Sequence, residues 1–222
     1  TLTMAVMLPI TLVVLAPAGS IIGEWISKGL LSLDNVAGFL AVAIIAATYE
    51  LFVLTGMHMF LITTLITVIT TVGQEAVVMP AAAVASISVA GMCLGTFLRL
   101  KNKEEKSLSF GFFVASFIGG VTEPGLYGLA VRYRKPFIGL VVGGLVGGLY
   151  AGITGVTCYT FVPSASVLAI LAFFGGSTAN LINGIVSCAL GFVVSAVVSY
   201  AVGAESQKTI PELGDDLEKS IA

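Results

Sequence analysis

RLKNKEEK (99–106), SLSFGFFVASFIGGVTEPGLYGLAV (107–131) and RYRK (132–135) run consecutively, and their reading decides the fold. Two basic clusters flank about 25 residues whose one charged side chain is Glu123. A single helical crossing would put the clusters on opposite faces of a membrane, which the preference for Lys and Arg on the cytoplasmic side disfavours. A hairpin keeps both on that side. Each arm would hold about 12 residues and rise about 18 Å, enough to reach the middle of a bilayer. The turn is expected at Glu123-Pro124-Gly125, because Pro and Gly interrupt a continuous helix. Broken backbone at that depth is tolerated only where it is buried in protein or lines a wet cavity. Glu123 is therefore expected at the tip of a re-entrant element and at the working centre.

The rest of the chain agrees that a bilayer is the solvent. It has 222 residues, of which 10% are charged, against about 25% in a soluble domain, and a mean hydropathy of +1.07. That much apolar surface cannot be hidden in one globular core. No basic stripe points to nucleic acid. Thr1 to Gly23 is free of charge and lacks a basic leader. The sequence is read as a fragment that begins partway through a larger membrane protein, with a processed N-terminus as the alternative. Cys93, Cys158 and Cys188 stand far apart in apolar stretches without a CxxC, so neither a disulfide framework nor a metal site is expected.

Outward from the central stretch, candidate spans are Leu2–Gly19, Asn35–Leu54, Ala76–Leu98, Phe137–Val156 and Asn180–Val202, with Met57–Val72 marginal for a full crossing of about 20 residues. Ile21 to Leu33 mixes Glu24, Trp25 and Lys28 with apolar residues, the pattern of an interfacial amphipathic helix. Pro136 to Ala204 has no charged residue. Within it, 161–178 contains the breakers Pro163, Gly175 and Gly176 and is expected to form a second re-entrant segment. Gly139, Gly143, Gly144, Gly147, Gly148 and Gly152 form a small-residue face suited to close helix packing. The expected division is 1–34, one span plus the interfacial helix; 35–203, a transport domain with re-entrant segments near 107–131 and 161–178; and 204–222, a polar acid-rich tail on the cytoplasmic side. The fold class is an all-α membrane protein, a multi-span helical bundle with re-entrant hairpins.

An ionisable group inside a membrane needs a reason. Glu123 can accept hydroxyl hydrogen bonds or hold a proton, and the helix break beside it exposes further backbone partners. Polyols suit such a site, since one carboxylate can accept from two hydroxyls. The structural alternative is a carboxylate that caps broken helix ends. His58, the one histidine, follows a break at Gly56; it can exchange hydrogen bonds with a hydroxyl or relay a proton, or be a satisfied buried histidine. Glu50 could pair with His58 but lies eight residues away across the break, which makes it the weaker candidate. Glu75, beside Gly73-Gln74, is read as an interfacial residue at a span end.

Gly119-Gly120-Val121-Thr122-Glu123-Pro124-Gly125-Leu126-Tyr127-Gly128, followed by Arg134-Lys135-Pro136-Phe137, resembles the Gly-Ile-Thr-Glu-Pro motif of enzyme IIC, the sugar-transporting membrane subunit of the bacterial phosphotransferase system, in its glucose superfamily. Gly56-Met57-His58 resembles that family's Gly-Leu-His motif, in the same order. The resemblance covers essentially the whole chain, from the fifth of the family's ten spans to its C-terminal end. The Arg132-to-Phe137 segment is most similar to the β-glucoside/sucrose/trehalose branch, and a β-glucoside is the favoured substrate. Met59, where the family often has Trp or His, and Gly125, where it usually has Ala, are departures that bear on the choice of sugar.

The resemblance implies that this is the sugar-binding half of an enzyme IIC, with two re-entrant hairpins, moving against an N-terminal dimerisation half that would supply a homodimer. It implies that Glu123 and His58, with Thr122, bind sugar hydroxyls. Glu123 would lie near the hydroxyl that is phosphorylated, a possible catalytic role, while Gly56, Gly120, Pro124 and Gly125 support the backbone breaks. The phosphoryl donor would be a cysteine on a IIB domain charged by a IIA domain, on the same or a separate chain. Neither phosphorylated site is legible in this sequence, so it would be one part of a protein phosphohistidine–sugar phosphotransferase. No cofactor is expected, and the implied location is the bacterial cytoplasmic membrane. Two readings from other classes stay open: a proton- or ion-coupled secondary transporter with Glu123 as proton carrier, and a non-transporting membrane sugar sensor.

Overall fold

Long apolar runs without interior breakers become the long helices. The computed structural model describes residues 34–163 and 165–204, with 9, 13, 17, 21 and 25 as isolated positions. The expected first span, the interfacial helix and the polar tail fall outside the described residues, those isolated positions apart. The elements are α1 (Asp34–Thr55), α2 (His58–Val72), α3 (Val78–Arg99), α4 (Lys103–Phe117), a short α5 (Glu123–Gly125) that continues as a π-helical turn (Leu126–Val131), α6 (Lys135–Ile153), a 3₁₀ helix (Val167–Phe173) and α7 (Thr178–Val202). Among the described residues, four helices are long and apolar enough to cross a membrane: α1 from Gly38, α3, α6 and α7. Their ends fall within three residues of the sequence expectation. α2 has 15 residues, about 22 Å of helix, short of a hydrocarbon core of about 30 Å.

The flanked segment 107–131 does fold back, but its turn is not where Pro and Gly suggested. α4 starts under the side chain of Asn102, which accepts from the Glu104 and Glu105 amides, and runs to Phe117. The reversal lies at 118–122, where Gly120 takes φ 70° and the Val121 amide reaches back to the Ala115 carbonyl at 3.1 Å. Glu123-Pro124-Gly125 is the first turn of the return arm. The physical reason is positional. Proline is well suited to the first turn of a helix, where its missing N–H has no partner to lose, whereas the left-handed backbone falls to glycine. The ends of the segment meet: Arg132 Nη2 lies 2.9 Å from Glu105 Oε1.

α3 is the central helix, packed by α1, α4, α6 and α7. The glycine face of α6 works on two sides. A Cβ at Gly143 would come within 2.6 Å of the Gly191 carbonyl oxygen on α7, and one at Gly144 within 2.5 Å of that of Ala46 on α1. This is the close approach that small residues allow between helices in lipid. Serines add ties between elements: Ser195 donates to the Ser88 carbonyl at 2.7 Å, and Ser109 to that of Cys93 at 2.9 Å. The three cysteines are buried and free.

Candidate functional site

Three interruptions of helical structure are drawn together by named bonds. The first is Gly56-Met57 between α1 and α2. Gly56 has φ 75°, and His58 becomes the opening residue of α2. The second is the 118–122 reversal, which presents Thr122 and Glu123. The third is the irregular chain after α6 that leads into the 3₁₀ helix. Tyr127, on the return arm, donates its hydroxyl to the Leu54 carbonyl at 3.1 Å and so ties the second break to the first. Glu75 and Cys158 exchange two backbone hydrogen bonds, 2.8 and 2.7 Å, which fastens the third to the start of α3. Asn180 holds it from α7: its Oδ1 accepts from the Thr157 amide at 2.8 Å, and its Nδ2 donates to the Thr157 and Phe173 carbonyls at 2.8 and 3.0 Å.

The result is a cavity of about 380 Å³ lined by His58, Gly120, Thr122 and Glu123 together with Tyr49, Ser86, Phe161 and Pro163. That volume lies in the range of small-molecule sites, roughly 300–1,000 Å³. Glu123 is exposed and His58 half-buried. The His58 Nδ1 is buried without a hydrogen-bond partner, and its ring meets the Tyr49 ring edge-on at 6.3 Å. The walls thus combine a carboxylate, an imidazole and two hydroxyls with apolar and aromatic surface. A pyranose needs both: donors and acceptors for its hydroxyls, and apolar area for its C–H faces.

Of the residues singled out in the sequence, the structure brings His58, Thr122, Gly120 and Glu123 to this one cavity. Gly56 lies in the first break, and Pro124 and Gly125 are in the return arm. Gly125 has a packing reason: a Cβ there would stand 2.7 Å from the Cys93 sulfur and 3.2 Å from a Val89 methyl. Glu50 does not pair with His58; Tyr49 is the neighbour that does. Glu50 is instead 2% exposed, with neither oxygen hydrogen-bonded. The Thr122 and Ser86 hydroxyls face it without closing a bond, and Glu123 lies within electrostatic reach. Glu75 is at a span end as expected, yet it is buried rather than interfacial, and it caps α3 by accepting from the Val77, Val78 and Met79 amides at 2.7–2.8 Å. Tyr49, Ser86 and Phe161 were not singled out. The available signal for Glu50 was its register: it follows Ala43 and Ala46 on the buried face of α1, at spacings of three and four.

The sequence model of the family described as Phosphotransferase system, EIIC, matches residues 1–144. The chain belongs to the EIIC family. It is 33% identical over 189 residues to the "PTS system beta-glucoside-specific EIIBCA component" of Bacillus subtilis, a match covering 85% of this chain and 30% of that protein. It is 28% identical over 197 residues to the "PTS system arbutin-, cellobiose-, and salicin-specific EIIBC component" of Escherichia coli (89% and 41%). It is 30% identical over 194 residues to the "PTS system sucrose-specific EIIBC component" of Bacillus subtilis (87% and 41%). This EIIC chain therefore spans less than half the length of these relatives. No solved structure matches it. Family membership and the four apolar helices make the EIIC chain a multi-pass membrane protein.

Proposed function

We propose that this chain is the sugar-binding part of a phosphotransferase permease, and that it binds and translocates a glucoside, with a β-glucoside favoured, in step with its phosphorylation. The observation that carries this reading is the convergence of His58 from one helix break with Thr122 and Glu123 from another on a single cavity, lined also by Phe161, Val162, Pro163, Ala165 and Ala169. The names of the relatives, specific for β-glucosides, for arbutin, cellobiose and salicin, or for sucrose, support the substrate class. Glu123 accepts hydrogen bonds from sugar hydroxyls, His58 exchanges one with its unpartnered Nδ1, and Tyr49 and Phe161 lie against the apolar ring faces.

Phosphorylation takes its phosphoryl group from a IIB phosphocysteine. The sugar hydroxyl oxygen attacks phosphorus, the P–S bond breaks, the thiolate leaves, and the hydroxyl proton passes to a base for which Glu123 is positioned. The relatives are EIIBC or EIIBCA fusions by name, which supports IIB and IIA domains as partners on the same or a separate chain. In this reading, segments 107–131 and 161–178 are re-entrant in a bacterial cytoplasmic membrane. Residues 1–34 end an N-terminal half that forms a homodimer, and the tail after 204 is cytoplasmic.

Glu123→Gln in the full-length protein tests the reading. Hydrogen bonds to a charged group contribute about 1.5–3 kcal/mol, so binding of a labelled glucoside is expected to weaken by roughly ten- to a hundred-fold, with uptake lost. Wild-type binding and uptake would remove Glu123 from the site. Cysteine labelling at Lys103 and Arg134 from one side of sealed vesicles tests the hairpin; labelling from opposite sides contradicts it.

A further inference from the structure

We infer that Glu50 is a positioning residue of the sugar site, acting through the hydroxyls of Thr122 and Ser86 to present them to the sugar as acceptors; this rests on the sugar-binding reading above. Glu50 is 2% exposed and both of its carboxyl oxygens lack a hydrogen bond. Buried polar groups are nearly always satisfied, and one that is not needs an explanation. Inside a membrane the default explanation is functional. The titratable groups around it are Tyr49 on its own helix and Glu123 on the return arm, with His58 lying against the Tyr49 ring.

Geometry says what Glu50 does. It does not line the cavity, but the two hydroxyls that face it do, and Thr122 and Ser86 are each only 4% exposed. They stand between the carboxyl and the space for substrate. A hydroxyl has one hydrogen and two lone pairs. A carboxylate is acceptor-only and offers an oxygen to each of the two hydroxyls, whereas a carboxamide offers one oxygen and a donor. The hydrogens of Thr122 and Ser86 therefore turn back toward Glu50, and their lone pairs turn toward the cavity. Polar contacts in binding sites often close fully only when substrate is bound. Without Glu50 the hydroxyls are free to rotate, and the wall no longer has a defined polarity. The site then reads sugar hydroxyls as donors at Glu123 and again at Thr122 and Ser86.

The test uses the full-length protein in membrane vesicles and labelled methyl β-glucoside, sucrose and the monodeoxy analogues of whichever binds. Glu50→Gln keeps shape but offers an N–H₂ donor to the hydroxyls. Parent-sugar affinity is expected to fall about ten-fold, with smaller losses for the monodeoxy analogues that lack a hydroxyl read by Thr122 or Ser86. Because Glu50 acts through both hydroxyls, adding Glu50→Gln to Thr122→Val/Ser86→Ala should weaken binding no further. Wild-type affinity in Glu50→Gln, equal loss for every analogue, or a further loss when Glu50→Gln is added to Thr122→Val/Ser86→Ala would each overturn the inference. If Glu50→Gln does not reach the membrane, Thr122→Val and Ser86→Ala read the same role: each should weaken the parent sugar and spare one monodeoxy analogue, and a uniform loss overturns it. The two levels separate cleanly. No binding of any sugar by the wild type removes the sugar-binding reading and this inference with it. Binding that is lost in Glu123→Gln and kept in Glu50→Gln removes the inference alone.

Discussion

At the N-terminus of α3, the Glu75 carboxylate accepts from three backbone amides, and its own backbone is bonded twice to Cys158. Near the C-terminal end of α1, Glu50 is buried still more completely, and neither of its oxygens closes a hydrogen bond. Two acids of the same type, each in an apolar neighbourhood of the same bundle, therefore have opposite roles. Glu75 satisfies the orphan donors that every helix start leaves and sits where the helix dipole favours a negative charge. Glu50 lies behind the wall of a cavity in which the His58 Nδ1 is also unpartnered. The difference teaches that depth of burial does not mark a functional acid in a membrane bundle; an unmet hydrogen-bonding need beside a cavity does.

The largest expected effect is on the structural side of the comparison. Glu75→Ala strips the cap from α3 and leaves its first amides buried without acceptors. Loss of a cap costs about 0.5–2 kcal/mol, and an unsatisfied buried donor about 1–3 kcal/mol. The variant is expected to lose about 1.5–5 kcal/mol by those figures, read as a large drop in unfolding temperature or in the yield of folded protein in detergent. Glu75 would be demoted from cap to bystander by a variant as stable as wild type.

Next is Asn180→Ala. It removes three hydrogen bonds that hold the chain after α6 to α7, at roughly 1 kcal/mol each. Faster proteolysis of the 154–166 segment and weaker sugar binding are expected together, since that segment supplies Phe161 and Pro163 to the cavity. Unchanged proteolysis would show that the Glu75–Cys158 bridge holds the segment without help.

Glu50→Gln is the counterpart of Glu75→Ala. With no hydrogen bond to lose and the shape retained, its stability should move by less than about 1 kcal/mol, while sugar affinity falls. A large loss of stability would place Glu50 with Glu75 as a structural acid and erase the contrast. The smallest effect is expected at the open end of the hairpin. The Arg132–Glu105 pair is half-exposed on its arginine side, and exposed ion pairs contribute about 0–1 kcal/mol. Glu105→Gln should scarcely change thermal stability, and a shift above that range would mean the pair is more shielded than its exposure indicates.

The spans were legible because the bilayer requirement is written as composition: about 20 apolar residues with few charges, a local property of the chain. The paired basic clusters pointed to a fold-back at 107–131, but the ion pair of Arg132 with Glu105 at its open end is a tertiary fact that the charge count did not supply. The exact turn was not. Pro124 marks a helix boundary without saying which side of it the helix lies on, and only the left-handed backbone at Gly120 decides it. At the site, His58 and Glu123 were legible as polar residues beside Gly and Pro. Glu50 was not legible in this way, because its neighbours Thr122 and Ser86 lie on other elements.

By itself the sequence determined that this chain is a bundle of membrane helices with a breakable, acid-bearing segment at its centre, because hydrophobicity and helix interruption act within a few residues of one another. Only the tertiary structure decided which buried acid is a cap and which is left wanting. Three backbone amides placed at Glu75, and two hydroxyls stopping short of Glu50, depend on where distant helices pack, and a residue's own neighbours in sequence hold no record of that.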